Sequence, residues 1–120
     1  MIAAAETLEG RVVVLSEDRY CQIALGFPEA VQSSHFDVTD FRVRGKIFAT
    51  LRPKDNRAVI KLAPDEQRLL LETSAGQFEP IPGSWGQKGW TRVWLEQADE
   101  ETVRHAMTMS WRSVAPKALR

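Results

Sequence analysis

The chain of 120 residues carries 16 basic and 16 acidic side chains, so its formal net charge is zero, and 43% of its residues are hydrophobic. This composition is typical of one globular domain, and the single cysteine, Cys21, excludes an internal disulfide or a multi-cysteine metal centre. The sequence lacks the pattern of a signal peptide and any apolar run of membrane-spanning length. We therefore expect a soluble, cytoplasmic domain with no membrane partner.

Helix and strand patterns follow one another from Ser16 onward. Residues 11–15 fit either a short strand or a leader, and we predict an N-terminal extension at 1–15 followed by one domain at 16–120. Ser16 is predicted to cap a first helix that ends at Gly26. The pattern then predicts a hairpin at 41–51 that turns at Gly45, a strand at 57–62, a helix that opens at Pro64, an extended stretch at 78–81, a strand at 91–96 and a helix capped by Asp99.

This order of elements predicts an α+β fold, in which helices pack on one face of an antiparallel sheet. The last helix supports it with an inward stripe of apolar and small residues at helical spacing: Val103, Ala106, Met107, Ser110, Trp111 and Val114. Alternate side chains of a strand point to opposite faces, so Ala58 and Ile60 should face the helices while Arg57 and Lys61 face away.

Basic residues are concentrated in the predicted strands. Seven bases and one acid lie between residues 41 and 62, which favours a basic sheet face that attracts an anionic partner. The alternative is that charges of both signs alternate around a solvated surface. The candidate phosphate contacts are Arg42, Arg44, Lys46, Arg57, Lys61, Lys88 and Arg92.

The segment at 82–91, PGSWGQKGWT, has glycines at every third position, two tryptophans and one lysine. Such a loop is either a rigid plug on the core or a presented contact surface. We interpret Trp85, beside Lys88, and Trp94 as candidate stacking groups for bases. Trp90 either belongs to the same stacking surface as Trp85 or begins a strand and packs over the helices.

Other conspicuous residues have ordinary structural explanations beside the functional ones. Arg112 and Lys117 near the end of the last helix either interact with its negative end or join Lys88 as phosphate contacts. His35 is interpreted as a structural histidine, since a metal site needs three or four converging ligands. Cys21 is interpreted as an inert thiol. Without a catalytic motif, we expect no enzyme, no metal and no cofactor.

Five motifs stand out between residue 16 and the C-terminus: SHF at 34–36, FRVRGKIFA at 41–49, KLAPDEQ at 61–67, PGSWGQKGWT at 82–91 and SWRSVAPK at 110–117. Together they resemble the MmcQ/YjbR family of small bacterial proteins. Where that family has a glycine after the first motif, this chain has Asp37.

The resemblance implies a frataxin-like (CyaY-like) α+β fold, a topology also described as a double-wing DNA-binding domain, and it brings no enzymatic activity. The first hypothesis is therefore a DNA-binding domain with weak sequence preference and no catalysis, using the basic sheet face or the glycine–tryptophan wing. The alternative is a protein-interaction or adaptor domain that inserts the Trp85–Trp90 loop into a partner.

Overall fold

The structure is a computed structural model that describes residues 15–120, so the predicted strand or leader before Leu15 and the proposed N-terminal extension lie outside the described residues apart from Leu15 itself. Residues 15–120 form four α-helices and six strands. The helices are α1 (Glu17–Leu25), α2 (Pro64–Thr73), α3 (Ser84–Gln87) and α4 (Glu100–Val114). The strands are β1 (Val31–His35), β2 (Val38–Val43), β3 (Lys46–Arg52), β4 (Arg57–Lys61), β5 (Phe78–Pro80) and β6 (Trp90–Val93).

The six strands form one antiparallel sheet in the order β1-β2-β3-β4-β6-β5. Phe41, Ala49, Ile60 and Thr91 lie side by side across four strands of this sheet, and all four are buried. Helices α1, α2 and α4 cover this side, so the predicted α+β fold with helices on one face is confirmed.

Helix α4 packs on the centre of the sheet as its apolar stripe predicts. All six residues of the predicted stripe are buried. The Ser110 hydroxyl donates a hydrogen bond of 2.6 Å to the carbonyl of Phe48, and the Trp111 indole donates one of 3.0 Å to the carbonyl of Pro28. Asp99 caps the helix as predicted, because its side chain accepts a hydrogen bond from the Thr102 amide.

Helix α1 is capped by Ser16 as predicted and fills the other half of the covered face. Tyr20 is fully buried with its ring edge-on to Phe41. Its hydroxyl donates to the carbonyls of Thr50 on β3 and Val59 on β4, both at 3.1 Å. Burial raises the pKa of this phenol far above its usual range, so it stays a neutral donor.

The structure departs from the sequence-based expectation at three places. Strand β1 was not predicted, because all five of its residues are exposed and no buried alternation marks it. The strand predicted at 91–96 ends at Val93, where the chain turns and the Gln97 amide donates to the Trp94 carbonyl at 2.9 Å. The segment predicted as a loop at 82–91 contains the short helix α3.

None of the helices in residues 15–120 combines the length and the apolar character needed to cross a bilayer.

Candidate functional site

The side of the sheet opposite the helices, here called the free face, carries the side chains that alternate with the buried rows. Strand register aligns Thr50 with Val59, and Val59 with Arg92, so these side chains lie next to one another on it. The described helices α1, α2 and α4 all pack on the other side. The free face of the four central strands comprises Val38, Asp40, Arg42, Ile47, Thr50, Arg52, Arg57, Val59, Lys61, Trp90 and Arg92.

Two adjoining depressions run across the free face. The first, here called the tryptophan pocket, has a volume of about 310 Å³ and is lined by eight residues. The second, the hairpin pocket, has about 480 Å³ and extends to the tip of the β1–β2 hairpin. Both are lined by Val38, Thr50 and Arg52, so they form one continuous concave surface. The lining of the tryptophan pocket is Val38, Thr50, Arg52, Arg57, Val59, Ile81, Trp85 and Trp90.

The glycine–tryptophan segment at one end of this surface is held by close backbone contacts. A Cβ atom on Gly86 would lie 1.8 Å from the carbonyl oxygen of Ile81, and one on Gly89 would lie 1.7 Å from that of Leu62. Only glycine permits such approaches, and Gly89 also has a φ of +109°. Gly86 and Gly89 therefore mark where the segment touches neighbouring backbone, whereas Gly83 has a φ of +80° and no neighbouring atom within 4 Å of its Cβ position.

Gln67 on α2 ties the same segment to the covered side of the sheet. It is 7% exposed, and its amide nitrogen lies 3.1 Å from the Gly86 carbonyl, 3.3 Å from the Trp90 carbonyl and 2.9 Å from the Thr91 hydroxyl. The Thr91 hydroxyl in turn donates to the carbonyl of Gly89 at 2.8 Å. A buried polar network of this kind fixes the backbone in one arrangement.

Trp85 is presented to solvent by this fixed backbone. Its side chain is 59% exposed, whereas Trp90 beside it is half-buried. The two rings lie 6.1 Å apart at 74°, so they form two walls of a corner at the tryptophan pocket. Trp90 lies on the free face, so the interpretation that it packs over the helices is wrong: it directly follows the turn and enters β6 one residue earlier than predicted.

Each of the three tryptophans of this region lies beside a cation. The Lys88 ammonium is 5.5 Å from the ring centroid of Trp85, and the Lys61 ammonium is 5.9 Å from that of Trp90. The Arg92 guanidinium stacks on Trp94 at 3.9 Å. These distances are those of cation–π contacts, and they place positive charge next to aromatic surface three times on one side of the sheet.

Trp94 is held more firmly than the other two tryptophans. Its indole N–H donates to a carboxylate oxygen of Glu79 at 3.2 Å, while Arg92 covers one face of the ring. The Nε of Arg92 is buried and has no hydrogen-bond partner among the described residues. Trp94 therefore offers less open surface for stacking than Trp85.

Acidic residues neutralise part of the predicted basic face. Asp40, which is 3% exposed, accepts two hydrogen bonds from Arg42, at 2.7 and 3.1 Å. Arg44 pairs with Glu29 at 2.9 Å, and its hydrogen bonds hold the pKa of Glu29 below its usual value. The candidate cations that pair with no acid of residues 15–120 within 4 Å are Lys46, Arg57, Lys61, Lys88 and Arg92.

The structure does not bring Arg112 and Lys117 to this surface. Arg112 is exposed on α4, and Lys117 begins the 3₁₀ turn that follows that helix. Helix α4, which carries Arg112, packs on the covered side of the sheet, whereas Lys88 lies beside Trp85. The interpretation in which Arg112 and Lys117 join Lys88 as phosphate contacts stays a prediction. Lys46 lies apart too, exposed at the β2–β3 turn.

Sequence reasoning missed Phe36 as a surface residue. It stands at the tip of the β1–β2 hairpin, is 92% exposed and has a φ of +56°, a backbone conformation unusual for a bulky side chain. Its ring lies 4.3 Å from that of His35, and both line the hairpin pocket. The only signal in the sequence was one phenylalanine inside the polar run at 32–37. In residues 15–120, no three His, Cys, Asp or Glu side chains converge as a metal site.

The open antiparallel sheet with one face covered by helices defines a small α+β domain. The sequence pattern of the YjbR family matches residues 25–113, so the chain belongs to the YjbR family. No curated protein matches it. A crystal structure of a Deinococcus radiodurans protein with a DUF419 domain is similar, with a TM-score of 0.72 and 18% identity over 89% of this chain and 86% of that one. At this identity the likeness shows a common fold.

Proposed function

We propose that the chain is a DNA-binding domain that holds DNA on its free face, with weak sequence preference and without catalysis. The observation that carries this proposal is the set of three tryptophan–cation pairs along one open side of the sheet. Trp85 and Phe36 project at opposite ends of the concave surface. These two projections would be the wings of the double-wing, CyaY-like topology that the resemblance implies.

The chemistry of these pairs suits a nucleic-acid strand. Stacking of a base on an aromatic side chain contributes roughly 1–3 kcal/mol per base, and a neighbouring cation meets the phosphate. Sequence readout in DNA relies mainly on side chains such as Asn, Gln and Arg at base edges. Among the described residues, strands β2 to β6 carry no Asn or Gln on the free face. Three of its four arginines are engaged, Arg42 by Asp40, Arg52 by Asp55 and Arg92 by Trp94, which supports weak sequence preference.

The lining of the tryptophan pocket supports the part of the proposal that concerns catalysis, although His35, Asp37 and Asp40 line the adjoining hairpin pocket. The eight residues that line the tryptophan pocket include two arginines and neither a carboxylate, a histidine nor a cysteine. General acid–base or nucleophilic chemistry needs such groups in convergent positions. The pocket is suited to binding an apolar, flat group.

A second candidate function is the capture of a partner protein. Phe36 and Trp85 are large, exposed side chains at the two ends of one concave surface, and aromatic anchors of this kind dominate protein interfaces. The ion pairs of Arg42, Arg44 and Arg52 favour this second function, because they lower the net positive charge that phosphates can meet.

A titration of labelled DNA at two salt concentrations tests the proposal. We expect binding at low salt that weakens steeply as salt rises, because phosphate contacts release counterions. Lys88→Glu should weaken this binding strongly, whereas Arg112→Glu makes the same charge change on the covered side and should have a much smaller effect. Absence of binding at low salt, or equal effects of the two variants, would overturn the proposal. Salt-insensitive capture of a protein would favour the second candidate.

A further inference from the structure

The tryptophan pocket is an open depression of the free face with mostly apolar walls, and it differs from the hairpin pocket in having two tryptophans in its lining. Val59 and Ile81 line it, and Trp85 and Trp90 meet there at 74°. Its volume of about 310 Å³ is at the small end of the range for ligand pockets, about 300–1,000 Å³. A small flat group fits such a site.

One cation at the edge of this pocket is open to an anion. Arg52 lines the pocket but is engaged by Asp55 at 2.8 Å. Arg57 also lines it and pairs with no acid among residues 15–120 within 4 Å. The charge of Arg57 contributes to the lowered pKa of Asp55, but no acid of residues 15–120 forms an ion pair with it. An apolar aromatic corner beside this arginine matches the two parts of a nucleotide, a flat base and a phosphate.

We infer that the tryptophan pocket receives one unpaired nucleobase, with the adjoining phosphate at Arg57, so that the domain prefers single-stranded DNA to a duplex. This inference rests on the proposed DNA-binding function and specifies its ligand.

The preference for an unpaired base follows from where the aromatic surface lies. Trp90 is half-buried and lines the pocket, so a group that stacks on it must lie in the pocket between Trp85 and Val59. The faces of bases in a duplex are covered by their neighbours in the stack, and extrusion of a base has an energetic cost. An unpaired base presents its face without that cost.

A matched pair of variants tests the pocket itself. Val59→Phe fills the tryptophan pocket while leaving every cation and every tryptophan in place. Ile47→Phe adds the same ring to the hairpin pocket, which Ile47 lines. Trp85→Ala provides a third variant, which should leave folding undisturbed because the side chain is exposed. Thermal unfolding of each variant reports whether the domain is folded.

The probes are a twelve-nucleotide oligothymidine strand and a fully paired duplex of the same length, at low salt. We expect the single strand to bind at least about tenfold more tightly than the duplex, a difference of about 1.4 kcal/mol. Val59→Phe and Trp85→Ala should each lower the affinity for the single strand about tenfold. Ile47→Phe should keep this affinity within about twofold of that of the unsubstituted protein.

The outcomes separate this inference from the proposed function. If the duplex binds as tightly as the single strand, or if a folded Val59→Phe variant binds the single strand like the unsubstituted protein, the inference is overturned while DNA binding stands. If neither probe binds at low salt, the proposed function itself fails and the inference fails with it.

Discussion

The side-chain amide of Gln67 donates a hydrogen bond of 3.1 Å to the carbonyl of Gly86, across the boundary between the covered side of the sheet and the segment that carries Trp85. Helix α2 thereby holds a turn whose most exposed side chain points to the free face. The structural and the candidate functional parts of the domain are joined at this buried glutamine.

Replacement of Gln67 should therefore loosen the segment as well as lower stability. We expect Gln67→Ala to reduce the free energy of unfolding by about 1–3 kcal/mol, because it removes the donor shared by three acceptors and leaves a small void. Urea unfolding measures this loss. Gln87→Ala, at an exposed position on α3, is the control and should stay within about 0.5 kcal/mol. Equal effects of the two variants would contradict the anchoring role.

Addition of one methyl group at Gly86 should be poorly tolerated. The Cβ of Gly86→Ala would lie 1.8 Å from the Ile81 carbonyl oxygen, so either the segment or β5 must move. We expect a loss of roughly 1–3 kcal/mol or more in the free energy of unfolding. Gly26→Ala is the matched control: its Cβ would lie no closer than 3.4 Å to neighbouring atoms and no positive φ is required. Comparable thermal stability of the two variants would show that the close approach is unimportant.

Phe36 should lower the stability of the domain. It has a left-handed φ of +56° and is 92% exposed, so it has backbone strain with little burial to offset it. Asparagine tolerates this conformation, and we expect Phe36→Asn to raise the free energy of unfolding by up to about 1 kcal/mol. For a domain of this size the melting temperature should rise by several degrees, roughly 2–8 °C. A fall in melting temperature would mean that the ring makes stabilising contacts.

Glu100 should make a pH-dependent contribution to the free energy of unfolding, because it links α4 to Arg19 on α1. Hydrogen bonds from Arg19, at 2.6 and 2.8 Å, are the largest influence, and they outweigh partial desolvation to lower its pKa to about 2, with help from Arg104. A lowered folded-state pKa gives stability that is present above the unfolded value, about 4.3, and is lost as pH falls toward 2.

We therefore expect Glu100→Gln to be less stable than the unsubstituted chain at pH 7 and equally stable near pH 2. Because both side chains of the Arg19–Glu100 pair are 42% exposed, screening keeps the difference below about 1 kcal/mol. Urea unfolding at pH 7, 4 and 2.5 measures it. Glu101→Gln places the same change at the adjacent position in the first turn of α4 and controls for the helix dipole. A difference at pH 2.5 as large as that at pH 7 would exclude this carboxylate as the cause.

Release of Arg52 should strengthen DNA binding if the free face meets phosphates. Asp55 pairs with Arg52 at 2.8 Å, and both side chains are more than a third exposed, so Asp55→Asn should cost less than about 1 kcal/mol of stability. The released cation should raise the affinity for DNA at low salt. It should also steepen the slope of the logarithm of the binding constant against the logarithm of salt concentration, by up to about 0.9 for each additional phosphate that the protein neutralises. Unchanged affinity and slope would place Arg52 outside the DNA interface.

The covered side of this fold could be predicted from the sequence because its side chains repeat with a clear period. The stripe of α4 and the alternation of β4 both mark the core directly. Strand β1 has no such signal, since every residue from Val31 to His35 is exposed. Its position depends on backbone pairing with β2, which residue types do not reveal.

The charge of the free face was harder to predict because some ion pairs join residues that are close in the sequence and others join residues that are far apart in it. Asp40 and Arg42 are two residues apart on one strand, so strand parity alone could have shown that they meet. Glu29 and Arg44 are 15 residues apart and meet only after the chain folds. Trp90 could also have been placed by strand parity, because it lies two residues before Arg92 and therefore on the same face of β6.

The contacts of Gly86 and Gly89 with backbone carbonyls have a consequence for binding rates. The close backbone contacts of Gly86 and Gly89, together with the hydrogen bonds of Gln67, set the position of the turn that carries Trp85. A ligand that stacks there meets a ring whose supporting turn is already in its final shape, and no loop must be ordered on contact. Association should then be governed by diffusion and electrostatic attraction, and differences between ligands should be found in how fast they leave.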